Sequence, residues 1–140
     1  MLLVALAACQ PAADPHVVGS AAVGVGADGV PIAHYATCGD SHVHEIAVRL
    51  RDGVPEDEIA PEVGAAEPDD SFERGQVVLG PEIVPEWDPE VRYWVEAQHA
   101  DGDEIIAPAI FQRGQLDSLA DGQVIAADGE TVALELLHTC

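Results

Sequence analysis

Apolar and polar residues alternate with a period of two over most of this chain, the periodicity of strands that bury one face. The clearest run is His42 to Arg51. It sets His42, His44, Ile46, Val48 and Leu50 on one face and Val43, Glu45, Ala47, Arg49 and Arg51 on the other. Val23 and Val25 lead into Ala27-Asp28-Gly29, a hairpin turn signal, and Val30, Ile32, His34, Ala36 and Cys38 alternate along the returning strand. Further on, Val91, Tyr93, Val95 and Ala97 oppose Arg92, Trp94 and Glu96. Gln76 to Gly80 reads as a short strand. Ile105 to Gln112 reads as another, in which Pro108 marks an edge or a bulge. Val124 to Ala126, the Asp128-Gly129 turn and Thr131 to His138 predict a last hairpin with Val132, Leu134 and Leu136 inward.

Between these runs the pattern breaks. Asp52 to Arg74 carries three prolines and a run of acids, so Glu56-Asp57-Glu58 is expected to start one helical turn and Ala60 to Asp70 to form a loop. Pro81, Pro85 and Pro89 predict an extended surface connection through Trp87. Gln115 to Leu119 has the spacing of one helical turn, ending near Gly122. No long amphipathic helix is encoded. The expected fold is all-β: an antiparallel sandwich of about 7–8 short strands, immunoglobulin-like in shape. The spacing of Cys38, Trp94 and Cys140 is not that of antibody domains.

Charge narrows the partners. Against 26 acidic residues stand five basic ones, all arginine, for a formal net charge of −21. Such a surface repels phosphate backbones, which excludes nucleic acid as a partner. It is also repelled by anionic lipid headgroups, so membrane contact has to come from a covalent anchor.

Met1 to Ala8 is uncharged and apolar, far short of the ~20 residues that span a bilayer and suited to the apolar part of a secretory signal. The segment that closes it, Leu6-Ala7-Ala8-Cys9, resembles the bacterial lipobox. That resemblance implies acylation of Cys9. It places the chain on the extracytoplasmic face of the cell membrane, or in the medium if Cys9 stays unacylated. No basic residues precede the apolar run, so the true start is expected upstream of Met1. The domain plan is a truncated signal peptide over 1–8, a lipid-anchored tether over 9–20 and one sandwich domain over 21–140. The lysine-free composition is similar to that of high-GC genomes, with a salt-adapted organism as the alternative. The Asp-Gly turn, Pro31, the strand to Cys38 and the terminal cysteine resemble small, Cys-paired secreted or lipid-anchored actinobacterial proteins of unknown function. In that oxidising compartment Cys38 and Cys140 remain to pair. The link would close about 100 residues and stabilise by roughly 4–5 kcal/mol.

Candidate chemistry is sparse. His42 and His44, at i and i+2 on one strand, could share a Zn or Cu(II) ion, with His34 as third ligand and Asp40 nearby. His42-Val43-His44-Glu45 is similar to the copper-ligand strand of copper/zinc superoxide dismutases. Asp52 to Arg74 lacks the further histidines that family needs, so the similarity ends at four residues. Cu(I) is disfavoured because the only methionine is Met1. Glu96, His99, Asp101, Asp103 and Glu104 lack EF-hand order and read as a solvated acidic turn. Trp94, on the polar face, and Trp87, among prolines, are candidates for a partner surface. The alternative for Trp94 is cover by the 52–74 or 81–89 segment. No nucleophile motif is present. The expected function is a non-enzymatic binding or envelope-interaction module with no cofactor. The alternative is a Zn/Cu(II)-binding protein using His42 and His44.

Overall fold

Asp28-Gly29 turns the chain as its residue types require. Gly29 takes a positive φ of 81°, the Gly26 N–H donates to the Val30 carbonyl at 2.9 Å, and Asp28 Oδ1 accepts from the Val30 N–H. In the computed structural model, which describes residues 16–37, 43–55, 57–68, 74–99 and 104–137, this turn joins the first two of ten strands. The strands are β1 His16–Val25, β2 Pro31–Thr37, β3 Val43–Leu50, β4 Glu62–Ala66 and β5 Arg74–Val78. They continue with β6 Arg92–His99, β7 Glu104–Ala107, β8 Ala109–Gln112, β9 Gln123–Ile125 and β10 Thr131–Ala133. Among the described residues no helix is long and apolar enough to cross a membrane.

The strands form two sheets. One runs β10-β9-β1-β2-β5 with β7 also on β1; the other runs β4-β3-β6-β8. Ala21, Val23, Ala33 and Tyr35 of the first and Ile46, Val48, Val95 and Phe111 of the second share one core. The molecule is therefore an all-β, two-sheet structure, as the alternation implies. Pairing is antiparallel throughout the described ladders except β1 with β7, which is parallel. Pro108 separates β7 from β8 and sits where the chain leaves the first sheet for the second. Lacking an N–H, proline is tolerated where a ladder ends.

A second, smaller core lies on the far side of the six-stranded sheet. Ala22, Ala36, Val124 and Leu137 are buried there, with Ala126, Val132 and Leu134 packed against them. Their strand neighbours Val23, Tyr35 and Ile125 point into the main core.

Four expectations are corrected. Ala60 to Asp70 is not all loop, because β4 pairs with β3 from Ile46↔Ala66 to Arg49↔Glu62. Around Glu58 a single hydrogen bond to the Pro55 carbonyl closes a turn, and no helix forms among the described residues there. The first strand takes in residues 16–20 of the expected tether, paired to β7 and β2. The last hairpin stops at Ala133, and a 3-10 turn over Leu134–Leu136 leaves Leu136 67% exposed and buries Leu137 instead. A 3-10 turn replaces the period of two with three. The inward face expected through Val132, Leu134 and Leu136 is therefore not continuous.

Candidate functional site

Strand alternation builds a polar outer face on the four-stranded sheet. Arg49 pairs directly with Trp94 across β3 and β6, and Ala47 pairs with Glu96. Leu50, Val48, Tyr93 and Val95 point the other way, into the core. The Arg51 N–H donates to the Arg92 carbonyl at 2.9 Å, which extends the ladder one step beyond β3.

Over this face the chain after β3 folds back. Val54, Pro55, Glu58, Ile59 and Ala60, together with Arg49, Arg51, Trp94 and Glu96, enclose a cleft of about 630 Å³. That lies within the range of small-molecule sites. Arg49 holds the fold-back in place: its Nε donates to Glu96 at 3.0 Å and its Nη1 to the Ala60 carbonyl at 3.1 Å. At the base, Asp52 accepts from the Arg92 N–H at 2.8 Å and from its Nε at 2.7 Å. The Arg92 backbone N–H, and then its guanidinium, hold the Asp52 carboxyl below the usual carboxylate range.

Two donors stand out. Arg49, Arg92 and Arg113 each pair with a carboxylate, whereas the Arg51 guanidinium makes no hydrogen bond or ion pair among the described residues, although its charge helps to lower the neighbouring Asp52 carboxyl. The Trp94 Nε1–H is buried and has no acceptor among the described residues. An unsatisfied buried donor costs about 1–3 kcal/mol. In a chain of charge −21, a guanidinium that makes no contact ion pair among the described residues is the less expected of the two.

The comparisons add no family. No protein-family model, curated protein or solved structure matches the chain.

Trp94 thus lies where the alternation placed it, half-covered by the segment beginning at Val54. Trp87 is elsewhere. Its ring packs T-shaped on Tyr93 at 4.9 Å and near Phe111 at 5.7 Å, on the core side of the sheet. The Asp88 N–H donates to the Tyr93 hydroxyl at 2.7 Å and ties the proline-rich segment there. The two tryptophans do not form one surface.

His34 and His44 lie on different sheets. A bulge lies between Val43 and Glu45, so Val43 joins the buried face and His44 is exposed. The extra residue breaks the period of two and removes His44 from the face of Ile46. His34 belongs to the other sheet. It is 8% exposed, its imidazole lies over Gly24, and it faces away from the four-stranded sheet beside a cavity of about 160 Å³. Among the described residues no three His, Cys, Asp or Glu side chains group as metal ligands. Cys9, Cys38, His42, Asp40 and Cys140 lie outside the described residues.

Arg49, Arg51, Val54 and Ile59 are the cleft residues that sequence reasoning missed. The arginines carried a usable signal, since both alternate onto the polar face of their strand, the face that Trp94 shares on β6. Ile59 carried a weaker one, an isolated apolar residue after a run of acids, and it is 87% exposed.

Proposed function

We propose that this chain is a lipid-anchored extracytoplasmic β-sandwich that binds a ligand or envelope partner and does not catalyse a reaction. The observation that carries this is the cleft between the 54–60 segment and the outer face of β3 and β6, with an indole and an arginine that makes no ion pair among the described residues in its wall. The described lining residues include no Ser, Thr, Cys or His, which supports binding over nucleophilic or imidazole chemistry. Amide shift mapping with a panel of aromatic, aliphatic and sugar fragments tests it. Shifts are expected to concentrate at Arg49, Arg51, Trp94, Glu96 and 54–60. A panel that leaves these amides silent would overturn the reading.

Attachment through Cys9 rests on the lipobox resemblance. The Cys38–Cys140 link, within an immunoglobulin-like shape, is supported by Leu137 packing with Ala36 in the second core, close in sequence to each cysteine. Intact mass of membrane-extracted protein tests both proposals. The expected mass includes acyl chains lost in Cys9→Ala, and reduction adds two hydrogens. An unacylated Cys9 or free thiols before reduction would sink the corresponding half.

A further inference from the structure

We infer that the cleft takes a small organic monocarboxylate whose apolar or planar body lies against Trp94 and Ile59 and whose carboxylate meets Arg51. The inference rests on the binding reading above and names its ligand class. The charge census carries it. Of the four charged side chains among the described wall residues, Arg49 and Glu96 neutralise each other at 3.0 Å, leaving Arg51 and Glu58. Asp52, whose carboxyl also feels the Arg51 charge, is already engaged by Arg92 at 2.7 Å. Glu58 is exposed and forms no ion pair with Arg51. Arg51 is half-buried, a setting in which a planar guanidinium favours a planar oxyanion over water.

The molecule's overall charge sets the ligand's size. At physiological salt, charges beyond about 8 Å are screened, so a compact monoanion meets mainly Arg51. A polyanion would extend over the surrounding acidic surface and be repelled. The rest of the wall is apolar: Val54, Pro55, Ile59 and the indole face. Such a lining suits a ring or short hydrocarbon chain.

The test is an amide-shift titration of the full chain with cinnamate and with its neutral amide, cinnamamide. Cinnamate is expected to bind about tenfold more tightly, the factor that one charge-assisted hydrogen bond supplies. Arg51→Gln should bring cinnamate down to the affinity of the amide and leave the amide unchanged. Glu58→Gln should tighten cinnamate about twofold, the size of an exposed charge interaction. Trp94→Ala should weaken both ligands. Ile59→Ser, at a position too exposed to affect folding, should do the same to a smaller degree.

Equal affinities, or an Arg51→Gln variant that still prefers the carboxylate, would overturn the inference and leave the binding module standing. No shift from either ligand at about 10 mM would also overturn it. If the fragment panel were silent as well, the binding reading would fall with it.

Discussion

Phe111→Ala is expected to destabilise the protein by about 3–5 kcal/mol, the range for deleting a buried aromatic ring. Phe111 is 1% exposed and lies 5.9 Å from the Tyr93 ring and 5.7 Å from the Trp87 ring. Truncation removes two aromatic neighbours, each worth roughly 0.5–1.5 kcal/mol beyond area, and leaves a cavity. The surrounding strands cannot close it, because β8 is held to β6 at Tyr93↔Phe111. Domains of this size have total stabilities of about 5–15 kcal/mol, so the loss is a large share. Thermal unfolding should fall by roughly 10–20 °C. The control is Leu136→Ala, 67% exposed, which should stay within about 0.5 kcal/mol. Similar losses at both positions would mean that Phe111 is not the centre of the core.

The second large effect comes from a residue with no side chain. Gly64 lies in β4 directly beneath the 80–84 turn. A Cβ there would collide with the Ile83 carbonyl oxygen and stand 2.9 Å from its carbon. That carbonyl is backbone and cannot rotate away. The Ile83 and Val84 N–H groups both donate to the Gly80 carbonyl, and Val84 is 2% exposed. Gly64→Ala therefore pits an overpacking cost of about 1–3 kcal/mol against an unfolded-state gain of about 0.4–1 kcal/mol. The clash wins, and urea midpoints should fall with an unchanged slope. Gly114→Ala provides the opposite sign. Nothing lies within 4 Å of its Cβ position and its φ is ordinary, so it should be neutral or stabilising by up to about 1 kcal/mol. If Gly64→Ala proved as stable as Gly114→Ala, the packing of the turn on β4 would be wrong.

How far the site was legible depends on which physical signal placed each residue. Trp94, Glu96, Arg49 and Arg51 were placed by strict alternation, because successive side chains on a strand must point to opposite faces. The roof of the cleft was not legible. Glu62-Val63-Gly64-Ala65-Ala66 has little intrinsic strand preference and forms β4 only by pairing with β3. Val54, Pro55 and Ile59 read as irregular chain. They become a wall because Arg49 binds the Ala60 carbonyl and the Leu50 N–H donates to the Pro61 carbonyl, which return the chain to β3. The bulge beside His44 leaves no mark in composition, yet it moves that side chain to the opposite face.

By itself, the sequence determined the all-β class, the turn at Asp28-Gly29, the inward and outward residues of β6 and the acidic surface. Each of these follows from local sterics, periodicity or simple charge. Tertiary structure alone decided that β7 runs parallel to β1, that the far face of the six-stranded sheet holds a second core, and that Arg51 and Trp94 line one cleft without an Arg51 ion pair among the described residues. These depend on which distant segments meet, and that is set by the summed packing of both sheets.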